Sequence, residues 1–309
     1  MITTGWLESG IIIMKKGLLS VFFAYALWGF FPIYFKLLHE APALQIMTHR
    51  VTWSFFFFLI LIVLRKQLKS LFKLLNKRTI LIYTVAGILL AGNWFTYVWG
   101  VNAGYVIETS LGYFINPLVS FMLGVLILRE KLRPLQWVPI SLAVIGVIYL
   151  TISYGRLPWI ALTLAFSFGF YGLIKKIAPL GSIQGLMIET AALFIPAIGF
   201  LLFSEFNGSG AFGHISPLVT FLLILSGVVT AIPLILFAHG APKVPLVTIG
   251  IIQYIAPTLQ FLIGVFLYNE PFTHDRLIGF SIIWLALVIF TFEGFNAHRH
   301  KLHHASANA

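Results

Sequence analysis

Ten apolar runs, each close to the length at which a helix crosses a bilayer, leave this chain little choice of solvent. They fall at 17–37, 45–64, 79–100, 105–128 and 134–152, then at 158–175, 183–203, 216–237, 246–268 and 274–293. A span needs about 20 predominantly apolar residues. Composition agrees: 60% of residues are hydrophobic, 9% are charged, and the mean hydropathy is +0.98. A soluble domain carries about 25% charged residues. The sequence predicts an all-α integral membrane protein of ten transmembrane helices. The chain has no cysteine, which excludes disulfides, iron–sulfur clusters and thiolate metal sites. No cofactor and no metal site is expected.

A net charge of +11 would suit a nucleic-acid binder if the bases were clustered. They are scattered over short loops instead. With the N-terminus inside, sixteen basic residues fall in inner segments, among them Lys15, Lys16, Arg65, Lys66, Lys69, Lys73, Arg129, Arg133, Lys175, Lys176 and Lys243. Only Arg156 and Arg276 fall outside. That asymmetry predicts cytoplasmic N- and C-termini and bases facing anionic lipid, so nucleic acid is not a partner. The stretch Leu68–Lys77 sets lysines four apart beside leucines, as a helix lying on the bilayer surface does. The histidine-rich tail from His298 to His304 reads as disordered.

The runs also repeat. The segment Gly112-Tyr113-Phe114-Ile115-Asn116-Pro117, continuing to Arg129-Glu130, returns 140 positions later around Gln253-Tyr254-Ile255-Ala256-Pro257 and Asn269-Glu270. Pro117 matches Pro257, Gly124 matches Gly264 and Glu130 matches Glu270. At the same offset Gly29 matches Gly169, Lys36 matches Lys176, Gly87 matches Gly227 and Gly100 matches Gly240. Each copy holds five spans, an odd number, so the second copy enters from the opposite face. The expectation is two inverted five-helix repeats, at 17–152 and 157–293, between a cytoplasmic N-terminus at 1–16 and a tail at 294–309. A proline inside a helix removes one hydrogen bond and kinks it, and interrupted spans at matching places in two halves mark transporter sites. Pro117 and Pro257 are the expected kinks.

The stretch Tyr25-Ala26-Leu27-Trp28-Gly29-Phe30-Phe31-Pro32-Ile33-Tyr34-Phe35-Lys36, followed by Thr48-His49-Arg50-Val51-Thr52-Trp53-Ser54, resembles the RarD-type branch of the EamA transporters. These belong to the drug/metabolite transporter superfamily. Gly92-Asn93-Trp94, the run Glu108 to Leu118, and Arg129-Glu130 are similar to the same branch. The resemblance covers nearly the whole chain. It implies ten helices in two inverted EamA repeats, a bacterial inner-membrane location, and export or exchange of small metabolites.

Ionisable groups inside spans are the first candidates for function, because each costs a few kcal/mol at depth unless paired or wet. Arg50, two turns into the second run, is planar and suited to gripping a carboxylate. Its alternative is an ion pair with Glu189 or Glu108 that locks the bundle. The offset sets Glu189 opposite His49, and both are proton-coupling candidates, since an imidazole titrates near neutral pH. Asn93, Trp94 and Tyr97 fall within about one helical turn. Tyr113, Asn116, Gln253 and Tyr254 flank the prolines, and Trp28 joins them as a cover for an apolar body. Each freed carbonyl, of Tyr113 and of Gln253, is a further expected acceptor. Glu130 and Glu270, at helix ends, read as structural. There is no H-E-x-x-H, no acidic cluster and no phosphate-binding G-x-x-x-x-G-K-[ST] loop, which argues against an enzyme and against direct ATP coupling. The expected partners are a small-molecule substrate, the lipid bilayer, and a proton or counter-substrate. A secondary transporter of the alternating-access type is the reading. A channel or facilitator, a receptor, or an intramembrane enzyme remain as alternatives.

Overall fold

The computed structural model describes residues 2–103, 105–154, 157–268 and 274–307. Asn269, Glu270 and Arg156 lie outside the described residues, as do the side chains of Arg276 and of the histidine-rich tail. The described secondary structure is helical throughout: α1 (Ile2–Gly29), α2 (Phe31–Lys36), α3 (Ala43–Leu64), α4 (Leu68–Leu74), α5 (Lys77–Asn102), α6 (Val106–Leu126) and α7 (Trp137–Tyr154). Then come α8 (Trp159–Ile177), α9 (Ser182–Phe206), α10 (Pro217–Gly240), α11 (Leu246–Ile252), α12 (Ile255–Leu262) and α13 (His274–Ala307).

Among the described residues eight segments are long and apolar enough to cross a membrane, and two more, Leu111–Leu126 and Leu277–Glu293, are shorter apolar helices. The helix that holds the first, α6, is itself 21 residues long. Glu108 sits in its first turn and is buried. No break separates residues 2–16 from the first apolar run, and α13 runs on through the tail that was expected to be disordered, where no proline interrupts it. Within the stretch 68–77 a short helix forms, α4, with Leu71 buried and Phe72 65% exposed.

Small residues set how the helices touch. A Cβ on Gly29 would meet Leu259 at 2.7 Å, and one on Gly169 would meet Val119 at 2.6 Å. These glycines are one repeat apart, and so are the residues they face. Gly87 of α5 lies against the backbone of Glu189 in α9, while its counterpart Gly227 of α10 lies against the backbone of Trp53 in α3. Gly100 packs on Ile160 of α8, and Gly240 on Val21 of α1. The helix pairings follow the same exchange: α6 packs on α8 and α12 on α1, α5 on α8 and α10 on α1, α10 on α3 and α5 on α9. The pairs α3–α9, α7–α13 and α6–α11 join one half to the other.

The prolines behave differently in the two halves. Helix α6 continues through Pro117 as one helix. The corresponding run is cut by a turn at Gln253–Tyr254 and ends in a wide helical turn at Ile263–Leu267. The carbonyl of Gln253, expected to be left free by Pro257, accepts from the amide of Ala256 at 3.3 Å. The chain tightens by one residue there, so that carbonyl is not left without a partner.

Candidate functional site

One cavity of about 670 Å³ opens among α1, α2, α3, α5, α6, α8 and α12. It runs from Arg50 at depth to His39 and Glu40, which are exposed on the connection between α2 and α3. Trp28, Arg50, Asn93, Trp94, Tyr97, Tyr113, Asn116 and Gln253 line its wall, together with Pro257. The helical periodicity of α5 and α6 puts Asn93, Trp94 and Tyr97 on one face and Tyr113 and Asn116 on the opposing one; the rings of Tyr97 and Tyr113 meet edge to face at 5.6 Å.

Tyr254 is not in that wall. It is fully buried in a cluster with Phe114, Ala143, Val147 and Ile283, and its hydroxyl donates to the carbonyl of Phe114 at 3.2 Å. The turn at Gln253–Tyr254 rotates the tyrosine toward α7 and α13 while leaving Gln253 facing inward. Pro117 also stays outside the cavity; its carbonyl lies 2.7 Å from where a Cβ on Gly250 would sit, which keeps α6 close to α11.

Arg50 is only 7% exposed. Its Nε donates to the hydroxyl of Thr230 at 3.0 Å. The guanidinium carbon lies 4.4 Å from the centre of the Trp94 ring, 4.9 Å from Phe35 and 5.6 Å from Phe31. Such contacts contribute roughly 0.5–2 kcal/mol each. Neither predicted ion pair forms. Glu189 binds Lys175 at 2.7 Å and accepts from the Tyr171 hydroxyl at 3.2 Å. Glu108 accepts from the amide of Ile160 at 2.7 Å, holding α6 to the start of α8. Among the described residues no carboxylate pairs with Arg50.

The two proton-coupling candidates are not brought together. His49 stacks on Phe212 with ring centres 5.3 Å apart, and its Nδ1 has no hydrogen-bond partner among the described residues. Neither His49 nor Glu189 lines the cavity. Lys175, counted above among loop bases, is instead buried in α8 with a side chain 3% exposed. Lys36 lies exposed over the Tyr268 ring at 4.1 Å. Several wall residues escaped the sequence reading: Phe31, Phe35, Phe168 and Gln260. Trp28, Phe31 and Phe35 recur at helical spacing, and that stripe was the available signal. Nothing in the sequence marks Thr230.

At the end of the molecule opposite His39 and Glu40, polar groups tie the helices together. Glu130 accepts from the amides of Leu246 and Val247 at 2.7 and 3.0 Å, capping the start of α11. Lys176 lies 3.6 Å from Glu130 and donates to the carbonyl of Val244 at 2.6 Å. Arg133 pairs with Glu293 at 2.7 Å. Among the described residues none of these lines the cavity. Among the described residues the site is therefore a pocket reached from one end and closed at the other.

Residues 15–152 match the model of the EamA-like transporter family. The chain is 47% identical to the uncharacterized transporter YojE of Bacillus subtilis (strain 168), covering 90% of this chain and 94% of that one. It is 43% identical to protein RarD of Streptomyces exfoliatus, over 92% of this chain and 91% of the relative. The chain belongs to the EamA-like transporter family, in its RarD-type branch. Protein RarD of Escherichia coli (strain K12) is 41% identical over 92% of this chain and 97% of its own length. A solved crystal structure, 17% identical, superposes with a TM-score of 0.68 over 89% of this chain and 97% of that one, and shows the fold alone. The family of drug/metabolite transporters and the apolar helices together make this a multi-pass membrane protein acting in transport.

Proposed function

We propose that this RarD-type protein is a secondary transporter that works by alternating access and takes a small amphipathic metabolite or drug-like solute across the bacterial inner membrane, by export or exchange. The observation that carries this reading is a cavity at depth, centred on a buried arginine, reached from one end and closed at the other. The matched contacts of Gly29 and Gly169, and of Gly87 and Gly227, support two inverted five-helix repeats at 17–152 and 157–293 with ten spans in all. Such halves rock against one another around a central site. The gathering of Lys16, Arg129, Lys176 and Lys243 at the closed end supports cytoplasmic termini. On this reading the open end of the cavity faces outward.

Substrate sits between the halves against Tyr113, Asn116 and Gln253, with Arg50 meeting its polar head and Trp28 and Trp94 covering its apolar body. Asn93 and Tyr97 complete the wall. A proton or a counter-substrate drives the cycle. The test is uptake into vesicles reconstituted with the pure protein, screening amino acids, amphipathic drugs and small carboxylates with and without a pH gradient. Uptake should appear for at least one class and be lost in Arg50→Ala while that variant remains folded. Arg50→Lys keeps the charge but loses the flat fork, so a carboxylate solute should suffer about tenfold more than a neutral one. Normal transport by Arg50→Ala overturns the site.

A further inference from the structure

A buried guanidinium is ordinarily neutralised by a carboxylate, because an isolated charge in a low-dielectric interior is costly. Arg50 is stabilised in another way. Three aromatic faces, of Trp94, Phe35 and Phe31, surround the guanidinium at 4.4 to 5.6 Å, and one neutral hydroxyl, of Thr230, accepts from Nε. Ring quadrupoles attract a cation without carrying net charge. The positive field of Arg50 therefore reaches into the cavity uncancelled. A guanidinium has five N–H donors in a fork that matches a carboxylate, and among the described residues only one hydrogen bond from Arg50 is made.

The rest of the wall agrees in sign. Among the described residues, the one acidic residue lining the cavity is Glu40, exposed at its mouth. An ammonium group carried to the depth of Arg50 would meet a like charge there and no counter-charge. Other polar groups of the wall, among them Asn116 and Gln253, are neutral.

We infer that the cavity is selective by charge: it takes organic monoanions with a flat apolar body and rejects cations, and Arg50 in its aromatic cage is the anion-binding group. This rests on the transporter reading of the same cavity, but it is tested by binding and not by transport. The full-length protein in nanodiscs of zwitterionic lipid is titrated with phenylacetate, phenylacetamide and 2-phenylethylammonium, which share a ring and differ in head charge. The fluorescence of Trp28 and Trp94, in the cavity wall, reports occupancy. Phenylacetate should bind about tenfold or more tighter than the amide, and the ammonium should give no saturable change. Thr230→Asp installs a resident counter-ion against Arg50 and should erase that preference. Thr230→Asn is its neutral isostere, so the charge effect is the difference between the two variants. Should Thr230→Asp fail to fold, Arg50→Gln removes the same field and should equalise acid and amide. Equal binding of phenylacetate and phenylacetamide by the unaltered protein, tighter binding of the ammonium, or a preference that survives both variants overturns the inference. Charge-selective binding without any vesicle uptake would overturn the transport reading and leave this one standing. Uptake indifferent to solute charge would do the reverse.

Discussion

Charged side chains at depth are treated in two opposite ways. Among the described residues Arg50 is left without a carboxylate, whereas Lys175 and Glu189 neutralise each other at 2.7 Å with side chains 3% and 2% exposed. The pair is further enclosed by Tyr171, whose hydroxyl donates to Glu189, and by Tyr83, whose ring lies 5.5 Å from the Lys175 ammonium. Removing one partner of such a pair strands the other charge and costs about 3–5 kcal/mol, while removing both is far milder. Lys175→Met and Glu189→Gln should each lower the thermal unfolding temperature of the detergent-solubilised protein sharply. The double variant Lys175→Met/Glu189→Gln should recover most of the loss. Additive losses would show that the pair is not the unit. The sequence disclosed Glu189 as notable but misassigned its partner. Lys175 lies next to Lys176 at the end of an apolar run, so charge counting alone reads both as loop bases. Only the helical register of α8, which turns Lys175 inward and Lys176 toward Glu130, separates them.

At the scale of the helix, matched glycines do matched work. Gly169 lets Val119 of α6 approach α8, and Gly29 lets Leu259 of α12 approach α1. Adding a methyl group at such a contact forces a shift and costs about 1–3 kcal/mol. Gly169→Ala should destabilise the protein by that amount in thermal unfolding, and Val119→Ala should restore much of it by vacating the space. Gly29→Ala with Leu259→Ala should repeat the result. Rescue in neither pair would mean that the contacts do not govern stability. These glycines were legible because the offset of 140 residues is constant. The broken run was legible only in part. Both prolines predict a kink, yet α6 passes through Pro117 as one helix while the matching run is cut at Gln253–Tyr254. The proline rule gives the missing hydrogen bond and not the turn the chain makes around it, where Tyr254 donates to the carbonyl of Phe114.

Across the whole molecule, the cavity and the tie at its closed end form one device. Glu130 joins the end of α6 to the start of α11, and Lys176 joins α8 to both. A cycle that exposes the site to the other side has to open this tie. The class of protein, the apolar runs and part of the cavity wall could be read from the sequence, since periodicity and ionisable groups in apolar runs are local properties. Which end stands open could not, because it depends on contacts between residues more than a hundred positions apart. The most direct test of the account labels one cysteine from each side in turn. Met47→Cys, in the cavity wall, is introduced into the cysteine-free chain and treated with an impermeant thiol reagent in oriented vesicles. The account predicts reaction from the outer face in this background, and a shift toward reaction from the inner face when Glu130→Gln weakens the tie. Reaction from both faces at once, as through a continuous pore, or a pattern untouched by Glu130→Gln, would contradict it.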